Sequence, residues 1–140
     1  MCVLIAGAFD EEPTTWQRIL GRRYGQEQYV KTWREAHAFL QRSRVRVVVC
    51  ERDLPDGNWR DVLESATRLS HPPAVIVASR LADERLWLDV LVAGGYDVLP
   101  RPLDAAEAGR TIVLAHASSR AGVRTARLDN STDNGGYYDV

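Results

Sequence analysis

Residues 44–50, RVRVVVC, close on four consecutive apolar side chains before the charged stretch Glu51-Arg52-Asp53. A strand with one wet face alternates polar and apolar residues, whereas one that is apolar at every position is covered on both faces. The run therefore calls for a sheet with helices above and below it.

The chain on either side supplies such layers in alternation. VLIAGAF (3–9) is a short apolar run, and Pro13 after it suits the first turn of a helix carrying Trp16, Ile19, Leu20 and Tyr24, with Gly25 able to end it. QYVK (28–31) reads as a weak second strand. Thr32 and Glu35 stand at capping-box spacing before WREAHAFLQR, whose Trp33, Ala36 and Leu40 form one stripe. A helix over about 58–69 carries Val62, Leu63, Ala66 and Leu69, and AVIVAS (74–79) is a fourth strand. DERLWLDVLVAGG is a helix closed by Gly94-Gly95, YDVL a fifth strand, and Asp104 with Glu107 opens a last helix through Ile112, Ala115 and His116. Five strands alternating with five helices on short links predict a doubly wound α/β fold with a parallel sheet and right-handed crossovers. Ligand chemistry in such sheets gathers at the carboxyl ends of the strands. Here those ends are Phe9/Asp10, Cys50/Glu51, Ser79 and Leu99 to Pro102.

Composition narrows the function. At 140 residues the chain makes one domain, and 45% hydrophobic with 26% charged residues is a globular balance. A net charge of −1 supplies no global attraction to nucleic acid or membrane. MCVLIAGAF is too short to span a bilayer and lacks a basic n-region, so the protein is expected to be cytoplasmic. Cys2 and Cys50 lack metal-ligand spacing, and His37, His71 and His116 are scattered, so neither type builds a metal centre. There is no Gly-x-Gly-x-x-Gly, no P-loop and no nucleophile–base spacing, which argues against a nucleotide binder or an enzyme; no catalytic residue is assigned. Beyond residue 119 the apolar periodicity stops, and 120–140 is expected to be a flexible tail to a domain over 1–119.

Four segments in register resemble a bacterial response-regulator receiver domain over about residues 3–118: FDEEP (9–13), ERDLPDG (51–57), VIVASR (75–80) and AGGYDVLPRPLD (93–104). The resemblance implies a three-layer (βα)5, flavodoxin-like fold with a five-stranded parallel sheet. It also implies phosphoryl transfer from a histidine kinase to an aspartate, with acidic side chains holding Mg²⁺, a Ser/Thr following the phosphoryl group, and a lysine pairing with it. Such transfer needs the carboxylate in line with phosphorus, and cations to neutralise the transferring oxygens.

This chain departs from that set. The acceptor position, four before Pro55, is Glu51, whose extra methylene advances the carboxylate by about 1.5 Å. The longer side chain can reach where a phosphoryl group would sit and satisfy the same donors. Ser79 fills the hydroxyl position. Arg101 stands where the lysine would be and can pair with Glu51 bidentately; alternatively it reflects composition, since Lys31 is the sole lysine among eighteen basic residues. The resemblance implies a cis bond before Pro102. Counting back from Glu51 by the family interval lands on Gly7-Ala8, which cannot bind metal. Aligning DEEP instead makes Asp10 and Glu11 the Mg²⁺ candidates, with helix N-terminal charge as the competing explanation. No cofactor is required on this reading. Val98 falls at the family's switch-aromatic position, with Tyr96 close by. Asp53 is a second candidate acceptor, and Asp56-Gly57 reads as turn chemistry.

The helix carrying Leu86, Trp87, Leu88, Val90, Leu91 and Val92 is apolar nearly all round. Either it is buried on several sides, or, as the resemblance implies, its surface with strand five and helix five (Trp87, Leu91, Val98) forms a homodimer or partner interface. The sequence thus predicts an atypical receiver acting as a phosphorylation-independent protein-interaction module in signal transduction. Its expected partners are a histidine kinase or a downstream signalling protein. The alternatives are a phosphorelay receiver with Mg²⁺ at a degenerate site, and a small doubly wound nucleotide-binding protein or enzyme.

Overall fold

The computed structural model describes residues 2–9, 13–21 and 26–129. Its main sheet is built from β1 (Cys2–Ala6), β2 (Gln26–Val30), β3 (Val45–Glu51), β6 (Ala74–Ser79) and β7 (Asp97–Pro100), with a two-stranded hairpin, β4 (Asp53–Leu54) and β5 (Gly57–Asn58), inserted after β3. The helices are α1 (Pro13–Leu20), α2 (Trp33–Arg42), α3 (Trp59–Thr67), α4 (Glu84–Ala93) and α5 (Ala105–Asp129). The five main strands run in the order β2-β1-β3-β6-β7 and every pairing is parallel. The chain winds outward from β1 to β2 and then returns to β3 on the other side of β1. The order therefore reverses between β1 and β3, where doubly wound sheets place their sites.

Period-two alternation divides the strand side chains between two cores. Leu4, Ala6, Val48, Cys50, Val75 and Val77 face α2, α3 and α4, while Val3, Ile5, Val47, Val49, Ile76 and Ala78 face α1 and α5. At the start of β3 the pairing passes from Cys2↔Val45 to Val3↔Val47. This irregularity steps over half-exposed Arg46 and leaves the strand apolar from Val47 onward.

Thr32 and Glu35 form the expected capping box on α2. A second box, Asn58 with Asp61, starts α3, and Asp83 caps α4 while Gly94 closes it in the left-handed region at φ 104°. Asp56 does more than make a turn: its carboxylate accepts the N–H groups of Trp33 (2.7 Å) and Arg34 (3.0 Å), fastening the hairpin to the start of α2. The last helix continues to Asp129, past the boundary expected at 119, and residues 130–140 lie outside those described.

Of the two alternatives for α4, burial on several sides is not what occurs. Leu86 and Val90 alone are buried on it, and Trp87, Leu88 and Val92 are exposed. The helix lies on the sheet by one stripe, so packing against its own domain leaves most of its apolar surface unused. Among the described residues no helix is long and apolar enough to cross a membrane.

Candidate functional site

Glu51 is the last residue of β3, and its side chain turns inward, 21% exposed. One carboxylate oxygen, Oε2, accepts from Nη1 of Arg101 at 2.5 Å, and the Arg101 side chain is 6% exposed. The other, Oε1, accepts the backbone N–H of Ala8 at 2.7 Å. The contact with Arg101 is through one nitrogen, so the bidentate fork anticipated from the guanidinium is not the geometry found. With Arg101 buried and Glu51 one-fifth exposed, this is a charge-assisted bond partly screened by solvent.

The neighbours of the pair come from three strand ends. Register places Ala6 beside Cys50, which sets Gly7 beside Glu51. Gly7 has φ 137°, a backbone region that side chains rarely adopt, and a Cβ there would lie 2.5 Å from Cγ and 2.6 Å from Oε1 of Glu51. The space taken by the additional methylene of Glu51 is therefore the space vacated by the absent Cβ of residue 7. Gly7 is anchored by its N–H to the Val30 carbonyl at 2.8 Å. Arg101 is clamped above the Phe9 ring, 4.6 Å from guanidinium carbon to ring centroid, and Phe9 meets Trp16 edge-on at 5.5 Å. The backbone N–H of Arg101 donates to the Ser79 carbonyl at 3.0 Å, and that of Arg52 to the Ala78 carbonyl at 3.1 Å, which ties the ends of β3, β6 and β7 together.

Ser79 is buried at the end of β6, but its hydroxyl oxygen accepts the N–H of Leu81 at 3.0 Å, and among the described residues it makes no bond to Glu51. The structure thus joins Glu51 to the cation and not to the hydroxyl. The peptide before Pro102 is cis, as the resemblance implies, and Pro102 itself is exposed. Val98 pairs with Val77 and packs, half-buried, on the core beneath α4, whereas Tyr96 packs on the opposite core and so does not share its direction. Asp53 points into solvent beside Arg52 at 3.4 Å. Burial, with the Glu51 charge beside it, pushes the Cys50 thiol far above the usual range, consistent with a small hydrophobe in the strand.

Asp10 and Glu11, the Mg²⁺ candidates, lie outside the described residues. Among those described, no group of three His, Cys, Asp or Glu side chains is placed to hold a metal ion. The position facing Glu51 is Gly7-Ala8, which offers an N–H donor where a cation would need oxygen, and both Glu51 oxygens already accept from protein donors.

Sequence reasoning named Phe9 only as a strand end and set Gly7-Ala8 aside as unable to bind metal; it missed all three as neighbours of the Glu51–Arg101 pair. A usable signal was present for two of them: the count back from Glu51 landed on Gly7-Ala8, and small residues there are the room that a longer acid needs.

No protein-family profile matches the sequence, and no curated protein matches it. Solved structures do resemble the fold. The signal receiver domain of a putative Luxo repressor protein from Vibrio parahaemolyticus is 22% identical with a TM-score of 0.78, covering 89% of this chain and 95% of that one. A CheY-like response regulator receiver domain protein from Methanospirillum hungatei is 19% identical at TM-score 0.73, over 86% and 97% of the two chains. The beryllofluoride-activated NtrC4 receiver domain dimer is 23% identical at TM-score 0.71, over 84% and 98%. The class is thus set at the level of fold: a flavodoxin-like α/β domain with the five-stranded parallel sheet of CheY-like receiver domains.

Proposed function

We propose that the chain is an atypical receiver domain that acts in signal transduction as a protein-interaction module without being phosphorylated. One observation carries this reading. Both oxygens of the side chain at the acceptor position are occupied, Oε1 by the Ala8 N–H and Oε2 by Arg101. Attack on a phosphoryl donor would require one oxygen to leave a sheltered ion pair and align with phosphorus, and displacements of this kind are costly in rate. Glu51 serves instead as a permanent staple between the ends of β1, β3 and β7. The domain performs no catalysis, works in the cytoplasm, and meets its partner, a histidine kinase or a downstream signalling protein, through the outward side of α4, where Trp87, Leu88 and Val92 are exposed.

The test is incubation of the full chain with acetyl phosphate and Mg²⁺ followed by intact-mass measurement. No mass increment is expected. A stable phosphoryl adduct on wild-type protein overturns this reading in favour of a phosphorelay receiver, and peptide mapping would then separate Glu51 from Asp53 as acceptor.

A further inference from the structure

Two unpartnered surfaces lie on opposite sides of the sheet. Between α1 and α5 runs a groove of about 490 Å³ with an apolar floor that includes Ile19, Leu20 and Leu114, and with Arg18 and Arg110 on its walls. Gly109 lines it where α5 approaches α1 closely, and a Cβ there would lie 3.0 Å from the Ile19 carbonyl oxygen. Among the described residues neither Arg18 nor Arg110 takes part in an ion pair. A volume of this size lies within the range of sites that receive a ligand or an anchoring side chain.

The second surface is the outer ridge of α4. Leu88 is 49% and Val92 85% exposed, one helical turn apart, with Trp87 beside them. Glu84 sits one turn before Leu88 on the same line, exposed and, among the described residues, without an ion-pair partner. Arg85 is also exposed on this side, and Asp89 leans toward Arg60 at 3.9 Å. One surface is therefore a convex apolar ridge with an acid at its leading end; the other is a concave apolar groove with two arginines on its walls and exposed Glu107 on the α5 side.

We propose that the α4 ridge of one copy of this chain docks into the α1–α5 groove of a second copy, Leu88 and Val92 on the apolar floor and Glu84 between Arg18 and Arg110. Arg85 then faces Glu107. The inference rests on the proposed function's use of α4 as an interaction surface, which self-association and the signalling partner would occupy in competition, but it does not depend on Glu51. The two surfaces differ and lie on opposite faces of the sheet, so the contact is head-to-tail. Such a contact leaves a free ridge at one end and a free groove at the other, and repeats into a stack or closes as a ring. A two-fold contact of ridge against ridge would leave the groove empty and Glu84 without the arginines.

The experiment is sedimentation velocity of the full chain over a wide concentration range, with two surface variants whose folding is checked by circular dichroism. Leu88→Asp/Val92→Asp removes the ridge and keeps the groove; Arg18→Glu/Arg110→Glu reverses the groove and keeps the ridge. Wild type is expected to grow in mass with concentration beyond two copies. Each variant alone is expected to stay at the monomer mass, and their equimolar mixture to reach twice that mass and stop, because only one competent ridge–groove pair remains. A groove variant that self-associates as wild type does, a mixture that stays monomeric, or a wild type that is monomeric throughout overturns the proposal. None of these outcomes bears on phosphoryl acceptance.

Discussion

Replacing Glu51 by leucine keeps most of the side-chain volume and removes both acceptors. The Ala8 N–H and Arg101 Nη1 each lose the oxygen they donate to, and the guanidinium stays where it is, 6% exposed and held over Phe9. Breaking a fully buried pair from one side costs about 3–5 kcal/mol, because the surviving charge keeps its desolvation penalty. Glu51 is one-fifth exposed, so water screens part of the interaction, and Arg101 keeps its other contacts, so we expect less than the full cost, about 2–3 kcal/mol. At about 3–5 °C per kcal/mol for a domain of this size, the melting temperature should fall by about 10 °C. Glu51→Gln keeps an acceptor for Ala8 and loses the charge toward Arg101, so its cost should be about half as large. Thermal unfolding of the three proteins by circular dichroism at neutral pH gives the order directly. If the leucine variant melts within about 2 °C of wild type, the carboxylate is not held as described and the staple is wrong.

Gly7→Ala should be severely destabilising, by more than about 2 kcal/mol, since it combines a positive φ with a Cβ 2.5 Å from Glu51 Cγ. Pairing it with Glu51→Ala removes the contacts with Cγ and Oε1 but leaves the Glu51 Cβ at 2.9 Å and the φ penalty, so urea denaturation should find the double variant less destabilised than the sum of the singles, though well short of full rescue; simple additivity would mean the two side chains do not compete for one space. At Asp56, desolvation pushes the carboxyl upward but is outweighed by the N–H groups of Trp33 and Arg34, which hold it below the usual carboxylate range. Its stabilisation is therefore complete above the ordinary carboxylate pKa of about 3.9 and is lost as pH falls through the lower folded value. Asp56→Asn should accordingly lower the urea midpoint at pH 6, with the gap from wild type closing toward pH 2.5; a gap that widens in acid would show that the carboxylate charge is not what caps α2.

The layers were legible because parallel strands bury both faces and so appear as unbroken apolar runs, and because the Thr32–Glu35 box writes a helix start into four residues. The pairing of Glu51 with Arg101 was legible as well, once the strand ends were set side by side. The other half of the site was not, because its donor is the backbone N–H of Ala8, which no side-chain pattern records, and its shape depends on what Gly7 lacks. Asp56 misled for a related reason: an aspartate before glycine fits a turn, and only the tertiary approach of α2 gives its oxygens two N–H partners. Composition also overstated the burial of α4, since an apolar count cannot separate a helix enclosed by its own fold from one that leaves a ridge uncovered.

The Ser79 hydroxyl decides what kind of substitute Glu51 is. A carboxylate standing in for a phosphoryl group in full would engage the cation and the hydroxyl together, and so pull the end of β6, with the loop leading into α4, toward itself. Here the cation is engaged, but the Ser79 oxygen faces the other way and accepts from Leu81, within that same loop. Glu51 therefore fastens β3 to β1 and β7 and exerts no hydrogen-bonded pull on β6. What fixes the outward face of α4 is local: the Asp83 cap, the left-handed Gly94 that ends the helix, and the two buried anchors Leu86 and Val90. On the proposed function, a partner surface on α4 would be presented by its own helix and not by the state of the acceptor position, as a module whose binding does not wait for phosphorylation would require.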